Sequence, residues 1–225
     1  MKILLIAGHG ESDPGGVGNG YKEADVAREV VKLIQKELNK YASTYVADIN
    51  KNWYRHVIKN RNRVNYTAYD YVLEVHFNSG AGDLKGNGTT TGTEIFVTRE
   101  EKAVAVEENI VRNIAKLGFK NRGVKRKNFD LINYVKKQGV SSGLLEVCFI
   151  DDKDDMKLYQ SKKNEIAVAV ANGIVEGFKL KKTENAPWYA DAQKWAVEKG
   201  ITDGSRPTDT ATRAEVWAML QRLKG

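Results

Sequence analysis

The sequence has almost no cysteine and no long apolar run. Its single cysteine, Cys148, excludes an intrachain disulfide and a cysteine-cluster metal site. No stretch approaches the roughly 18 consecutive apolar residues of a transmembrane helix, so we expect no membrane insertion. The apolar start, residues 3–7, is too short for the core of a signal peptide. We therefore expect synthesis in the cytoplasm without an export signal.

The net charge is +7, and residues 184–225 contribute nothing to it because they carry six basic and six acidic side chains. A basic domain favours anionic partners such as nucleic acid, phospholipid or an acidic cell-wall polymer. The one dense basic run, residues 120–127, is more typical of a solvated loop, and no known nucleic-acid motif accompanies it. We expect no nucleic-acid partner.

Hydrophobic patterns alternate between short β-like runs and amphipathic helical segments along the first 180 residues. The pattern predicts an α/β fold with a mostly parallel or mixed sheet. Predicted strands cover residues 3–7, 44–49, 71–78, 93–97, 128–134 and 143–150. Predicted helices cover residues 23–38, 55–68, 101–117, 151–160 and 164–178.

A change of composition follows residue 180. Residues 181–185 are polar and typical of a linker, and three of the four tryptophans lie in the last 38 residues. The sequence therefore predicts a domain at 1–180, a linker at 181–185 and a small all-α module at 186–225.

A glycine-rich loop follows the first predicted strand and begins with His9. Ligand sites in open α/β sheets lie just past the carboxyl ends of strands, which is where His9 falls. Glu23 starts the inward-facing apolar stripe of the next helix, at a position where an isolated carboxylate is costly. It must therefore be paired, hydrogen-bonded or bound to a metal.

Two further polar residues stand in apolar surroundings. His76 lies at the carboxyl end of a predicted strand, and Glu146 interrupts the most apolar run of the chain. Two imidazoles and one carboxylate, from His9, Glu23 and His76, suit a catalytic Zn²⁺ ion. Glu146, its pKa raised by the apolar strand, would act as general base and then as general acid.

Simpler interpretations remain open for each of these residues. A lone histidine after a strand is more often a hydrogen-bonded loop residue, and a glutamate within a strand is more often paired with arginine or lysine. The compact His-Glu-x-x-His motif of many zinc peptidases is missing. Ser141 and Ser142 suggest a serine nucleophile, but no histidine is placed in the sequence to activate them.

An ordered set of motifs over residues 1–180 resembles zinc-dependent N-acetylmuramoyl-L-alanine amidases, the group that includes many bacterial autolysins and phage endolysins. The ordered set is much more specific than any one of its members. The motifs are Gly8-His9-Gly10, Asp13-Pro14-Gly15, Gly18-Asn19-Gly20, Glu23-Ala24-Asp25, His76-Phe77-Asn78, Gly92-Thr93-Glu94-Ile95-Phe96, Arg122-Gly123-Val124-Lys125 and Leu144-Leu145-Glu146-Val147.

The resemblance implies zinc bound by His9, Glu23 and His76, with Glu146 as the catalytic residue. It implies a twisted, mostly parallel six-stranded sheet flanked by helices. It also implies hydrolysis of the amide between N-acetylmuramic acid and L-alanine in peptidoglycan. Three departures from the family pattern bear on substrate fit: Cys148 replaces a glycine, Asp151-Asp152 replace Ser/Thr-Asn, and Phe77 replaces a smaller residue.

Three more residues are weaker candidates for the site. Asn78 and Arg63 are candidates for substrate binding, although a structural role in the loop or helix explains them equally well. Glu94 is a candidate for contacting the metal ligands without binding the metal itself. Glu11 and Asp13 could line the cleft, but a role in forming the loop is favoured for both.

The tail resembles a single surface-layer-homology repeat, through Trp195-Ala-Val-Glu-Lys-Gly-Ile-Thr-Asp-Gly204 and Thr212-Arg-Ala-Glu215. Thr210 or Thr212 is a candidate helix cap, with Glu215 at capping-box distance from Thr212. The resemblance suggests binding to an anionic secondary cell-wall polymer, and a module this small also favours self-association or packing on the catalytic domain. Its predicted core is Trp188, Trp195, Val216, Met219 and Leu220.

Together these features predict a zinc peptidoglycan amidase that acts at the bacterial cell wall after release, as a phage or prophage endolysin. A zinc peptidase acting on wall stem peptides is the alternative enzyme. A non-catalytic wall-binding protein is the alternative without chemistry.

Overall fold

The computed structural model describes residues 1–182, 190–205 and 209–223 of the 225-residue chain. The chain divides into two compact units, Met1–Lys181 and Lys182–Gly225. Most of the linker predicted at 181–185 lies outside the described residues, as does Trp188. Among the described residues, no helix is long and apolar enough to cross a membrane.

The first unit alternates strands with helices. Its strands are β1 (Lys2–Ala7), β2 (Val17–Gly18), β3 (Tyr21–Lys22), β4 (Ser43–Val46), β5 (Tyr71–Asn78), β6 (Thr93–Val97), β7 (Asn121–Arg126) and β8 (Ser141–Phe149). Its helices are α1 (Glu23–Leu38), α2 (Ala105–Ala115), α3 (Asp130–Lys136) and α4 (Lys153–Phe178). A π-helical turn spans Arg55–Lys59.

Six of the strands form one sheet in the order β4-β1-β5-β8-β6-β7. Every neighbouring pair is parallel except β6 and β8, which are antiparallel. The carboxyl ends of β1, β5 and β8 therefore lie at one edge of the sheet, together with the beginning of β6. Strands β2 and β3 form a separate two-stranded hairpin.

Apolar side chains cover both faces of the sheet, which makes a three-layer α/β fold. One face packs against α1, α2 and α4 through residues such as Leu5, Leu73, Val30 and Ile110. The other face packs against α3 and the segment around Tyr66 through Leu4, Ile6 and Val72, among others. The predicted fold class, a mostly parallel six-stranded sheet flanked by helices, is confirmed.

Two predicted elements are wrong. The predicted helix at 55–68 is only the π-helical turn, because the chain reverses at Arg61 (φ 53°) and buries Tyr66, whose hydroxyl accepts a hydrogen bond from Trp53 Nε1 (2.8 Å). The predicted strand at 128–134 is helix α3, whose buried residues are spaced like those of a helix and pack on the sheet.

The two helices predicted at 151–178 are continuous in α4, with a kink at Lys162.

The C-terminal unit contains helices α5 (Ala190–Glu198) and α6 (Arg213–Arg222). Thr212 caps α6, and the predicted capping box with Glu215 forms. The predicted core is wrong for Trp195, Val216 and Leu220, which are all exposed. Among the side chains described in this unit, Ile201 alone is buried, because the unit is too small to enclose more.

A buried acid in α2 makes the stability of the first unit depend on pH. Glu107 is 1% exposed, and Tyr71 donates a hydrogen bond to its carboxylate (2.7 Å). Burial raises the pKa of Glu107 to about 7, although the hydrogen bond from Tyr71 opposes this effect. A raised folded-state pKa means that the stabilisation from the protonated acid is complete below pH 4.5 and is lost as pH rises through 7.

We expect Glu107→Gln to remove this loss. A shift from 4.5 to about 7 corresponds to about 3 kcal/mol, so the variant should gain stability relative to the wild type by up to that amount between pH 4.5 and 8. Urea denaturation followed by circular dichroism at pH 5 and pH 8 measures the difference. If the variant and the wild type differ in unfolding free energy by the same amount at both pH values, protonation of Glu107 is not linked to folding.

Candidate metal centre and active site

The candidate residues converge at the edge of the sheet where β1, β5 and β8 end. Ala7 pairs with Val75, and the amide of Gly8 donates to the carbonyl of Val75 (2.9 Å). This pairing brings His9, just beyond β1, beside His76 near the end of β5. The two imidazole rings lie edge to face with centroids 5.0 Å apart.

Glu23 bridges the two histidines. Its Oε1 lies 2.7 Å from His76 Nδ1 and its Oε2 lies 3.2 Å from His9 Nε2. One ligand atom from each of these three residues lies within 4.8 Å of the others. Glu23 is the first residue of α1, where the positive end of the helix dipole favours a carboxylate.

Backbone amides fix the orientation of Glu23. Gly16 donates to Oε2 (2.8 Å) and Phe77 donates to Oε1 (3.1 Å). Burial would raise the pKa of Glu23, but hydrogen bonds from His76 and His9 outweigh it and hold the pKa well below its ordinary value. The carboxylate is thus charged and oriented toward both imidazoles.

Two glycines leave the space that the imidazoles occupy. A Cβ on Gly8 would lie 2.4 Å from His76 Cε1, and a Cβ on Gly15 would lie 2.5 Å from Glu23 Oε2. Gly15 also has φ +67°, which disfavours any side chain there. The glycine-rich loop is therefore closed around the three candidate ligands.

Arg28 of α1 holds the backbone of the glycine-rich loop by hydrogen bonds to its carbonyl oxygens. Its guanidinium donates to the carbonyl oxygens of Gly8 (3.1 Å) and His9 (2.9 Å), and also to those of Ala24, Ile49 and Lys51. His9 itself has φ 55°, an uncommon conformation that costs of order 1–3 kcal/mol and often marks functional sites. Arg28 was not predicted, because its partners are backbone atoms from three separate segments.

Glu146 lies on β8, which runs between β5 and β6 in the sheet. Its Cα partner on β5 is His76 and its Cα partner on β6 is Glu94. Burial raises the pKa of Glu146 to about 7; His76 lowers it, and the carboxylates of Glu23 and Glu94 raise it further. Its Oε2 has no hydrogen-bond partner among the described residues. A proton-transferring group with a pKa near neutrality is thus placed beside the candidate ligands.

Glu94 is buried, and its negative charge is balanced by two cationic side chains. It is 2% exposed, and it accepts hydrogen bonds from Arg122 Nε (2.5 Å), from Lys125 Nζ and from the Asn78 amide (2.8 Å). Burial would raise the pKa of Glu94, but Lys125 and Arg122 lower it. Of the three weaker candidates, Glu94 thus holds the side chain of Asn78 and lies directly beside Glu146 on the neighbouring strand.

A cleft of about 480 Å³ opens over these residues. His9, Glu23, His76 and Glu146 line it, together with Asn78. Arg63 lies outside it, exposed beside Tyr134 and Lys137, because the helix predicted to carry it does not form. The apolar and aromatic part of the cleft wall comes from Tyr54, Phe77, Phe129, Leu131 and Leu144.

Two carboxylates that were not predicted as site residues contact the histidines. Asp13 Oδ2 lies 3.0 Å from His9 Nδ1, and Glu74 Oε1 lies 3.1 Å from His76 Nε2. Each contact is to the ring nitrogen that faces away from Glu23. The four-residue spacing of His9 and Asp13, and the same-face spacing of Glu74 and His76 on a strand, are the sequence signals that could have revealed them.

The unusual aspartates after β8 hold the long loop beside the cleft. Asp151 accepts hydrogen bonds from the amides of Gly80, Ala81 and Gly82. Asp152 accepts from the amide and hydroxyl of Thr91, and Asp154 accepts from the amides of residues 87 and 88. The departure at Asp151-Asp152 therefore has a structural explanation in loop 80–92.

The donor set fits a zinc ion. Zn²⁺ in catalytic sites is bound by three protein ligands, commonly imidazole and carboxylate, with a fourth position left for water. His9, Glu23 and His76 supply two imidazoles and one carboxylate on the wall of an open cleft. The arrangement can therefore combine metal binding with proton transfer by Glu146.

The first unit is similar to known cell-wall amidases. The family described as N-acetylmuramoyl-L-alanine amidase matches residues 3–176. An endolysin of Bacillus phage SPP1 is 28% identical over 187 residues, which cover 80% of this chain and 67% of the relative. A sporulation-specific N-acetylmuramoyl-L-alanine amidase of Bacillus subtilis (strain 168) is 27% identical over 196 residues, 84% of this chain and 72% of the relative.

A solved structure shares the fold. The N-acetylmuramoyl-L-alanine amidase AmiC2 of Nostoc punctiforme superposes with a TM-score of 0.62 at 22% sequence identity. The match covers 80% of this chain and 97% of that one.

Proposed function

The chain belongs to the N-acetylmuramoyl-L-alanine amidase family and is a peptidoglycan amidase, and we propose that it cleaves its substrate with a zinc ion held by His9, Glu23 and His76. The bond cleaved is the amide between N-acetylmuramic acid and L-alanine. One observation carries the proposal: ligand atoms of the three residues lie within 4.8 Å of one another in a cleft that Glu146 also lines.

The chain's own residues supply positioning and proton transfer. Bound zinc supplies Lewis acidity, which activates a water molecule and polarises the scissile carbonyl. The Glu146 carboxylate accepts a proton from the attacking water and returns it to the leaving amide nitrogen. In the metal-free protein its burial raises the pKa of this carboxyl to about 7, close to the pH at which the same group must accept and donate the proton. Asn78 lines the cleft and its side-chain amide donates to Glu94, which supports the proposal that it binds substrate.

The test combines metal analysis with product analysis on purified peptidoglycan. We expect one zinc per chain, together with products that carry a new L-alanine amino terminus and an intact lactyl carboxylate on muramic acid. Cleavage within the stem peptide would instead identify a zinc peptidase. Intact walls, with zinc bound, would identify a wall-binding protein that is not catalytic.

We further propose that the enzyme acts as an endolysin, made in the cytoplasm and acting at the wall after release. The phage SPP1 endolysin among its relatives supports this role. We expect the protein, co-expressed with a membrane-permeabilising holin, to lyse the cell, while expression alone leaves the culture intact. Lysis that does not need permeabilisation would argue for another route to the wall.

The C-terminal module is proposed to bind an anionic secondary wall polymer, in line with its resemblance to a surface-layer-homology repeat. Its exposed Trp195 and Trp217 provide apolar surface for a ligand or for self-association. Equal retention of the full chain on intact walls and on walls stripped of that polymer would contradict polymer binding. Sedimentation of the free protein distinguishes self-association.

A further inference from the structure

Glu74 is a buried acid whose burial is not explained by the fold. It is 4% exposed on β5, and Oε2 has no hydrogen-bond partner among the described residues. Among the described residues it forms no ion pair with lysine or arginine, whereas the comparably buried Glu94 pairs with Arg122 and Lys125. Burying a carboxylate with so little compensation is costly, and an apolar side chain would avoid that cost.

Within the part of the chain that the structure describes, the one close polar partner of Glu74 is His76. Glu74 and His76 lie two residues apart on the same face of β5, and Glu74 Oε1 is 3.1 Å from His76 Nε2. The other ring nitrogen, Nδ1, faces Glu23 at 2.7 Å. In the metal-free protein both ring nitrogens face a carboxylate and can donate, Nδ1 to Glu23 and Nε2 to Glu74. When His76 is neutral, the carboxylate at Nε2 keeps the one remaining proton there and leaves the Nδ1 lone pair on the side of the other candidate ligands.

Neighbouring backbone restricts the position of the His76 ring. Gly8 lies so close to the imidazole face that an added Cβ would be 2.4 Å from Cε1 and 2.5 Å from Nδ1. The amide of Phe77, the residue after His76, donates to Glu23. These contacts restrict the position of the ring, and Glu74 then favours the neutral form of His76 that keeps its proton on Nε2.

We infer that Glu74 is a positioning residue for zinc binding, which fixes the tautomer of His76 and increases the electron donation of its Nδ1. The inference rests on the proposed zinc site and goes beyond it. Carboxylates that contact the remote nitrogen of a metal-bound histidine typically change metal affinity or activity by 10–100-fold. Asp13 has the corresponding place on His9, but it is also bound by Asn52 and the amide of Gly15, so Glu74 gives the cleaner test.

The test is the zinc affinity of Glu74→Gln, measured by competition with a chromophoric chelator, with Glu107→Gln as the matched control. Both substitutions neutralise a buried carboxylate, but Glu107 is bonded to Tyr71 and lines no part of the cleft. We expect the zinc Kd to rise about 10–100-fold in Glu74→Gln and to stay within twofold of the wild type in Glu107→Gln. The visible spectrum of the cobalt-substituted protein should shift in the first variant only.

A second variant, Glu74→Asp, tests the inference if Glu74→Gln does not fold. Glu74→Asp keeps the charge but withdraws it from Nε2, and we expect it to weaken zinc binding as well. An unchanged zinc Kd and cobalt spectrum in a folded Glu74 variant would overturn the inference while leaving the zinc site in place. A wild-type protein that binds no zinc would instead overturn the proposed function, and this inference with it.

Discussion

Replacing Glu146 with glutamine is expected to lower kcat/KM for peptidoglycan by about 10²–10⁴-fold, the usual contribution of general acid–base catalysis. Glutamine keeps the shape of the side chain but cannot accept the proton of the attacking water. The zinc content should be unchanged, because Glu146 is not one of the three clustered ligands. Release of new amino termini from purified walls measures the rate, and elemental analysis measures the zinc.

Ser141→Ala is the matched control on the same strand. Ser141 lies at the start of β8, five residues before Glu146, which along a strand is roughly 16 Å. We expect it to retain wild-type activity. Glu146→Gln with full activity would remove the assignment of the general base, and an inactive Ser141→Ala would return attention to a serine nucleophile.

The pH profile provides a second readout of Glu146. The carboxylate form is needed to accept a proton, so kcat/KM must fall as pH drops through the pKa of this group. Burial raises that pKa to about 7 in the metal-free protein, and a nearby cation lowers it. The acid limb of wild-type kcat/KM should therefore lie at or below pH 7. The same limb should be missing from the residual rate of Glu146→Gln.

Replacing Glu23 with glutamine is expected to abolish zinc-dependent activity and zinc-dependent stability together. A ligand present at 1,000 times its Kd stabilises a folded protein by about 4 kcal/mol. Chelation should therefore lower the thermal midpoint of the wild type and stop wall cleavage, and added zinc should restore both. In Glu23→Gln neither quantity should respond, because the one anionic ligand of the cluster is lost. Differential scanning calorimetry with and without zinc measures the change.

Glu37→Gln is the control for the same helix. Glu37 lies near the far end of α1, where it pairs with Lys40. Its substitution should leave the zinc response intact. Two results would remove Glu23 from the metal site: a Glu23→Gln protein that still binds one zinc, or a wild type whose stability is indifferent to chelation.

The fold was predictable where local patterns and tertiary packing agree. The stripe beginning at Glu23 and ending at Leu38 is helix α1 with the same bounds. Residues 55–68 were predicted wrongly because burial of Tyr66 and its bond with Trp53 override the local helical pattern. The segment around Leu131 was predicted as a strand because it contains a short apolar run, but its buried residues have helical spacing and pack on the sheet as α3.

The candidate site was predictable for residues that stand in unusual places. His9 follows a strand, His76 lies near the end of one, and Glu23 and Glu146 interrupt apolar patterns, so each could be selected from the sequence. Their hydrogen-bond partners were harder to identify, because an acid such as Glu74 is distinguished from other strand acids only by the atom that it contacts. Arg28 is a similar case, since its role is defined by the carbonyl groups it binds.

The closeness of Gly8 and Gly15 to the imidazoles and Glu23 also limits how this enzyme can be diversified. A single methyl group at either position would occupy space that a candidate ligand already fills. Gly20, in the same loop, has open space around its absent side chain. Directed evolution of the cleft is therefore better aimed at the partly exposed aromatic residues of its wall, Tyr54 and Phe129. Randomised libraries that include Gly8 or Gly15 would consist mainly of inactive clones.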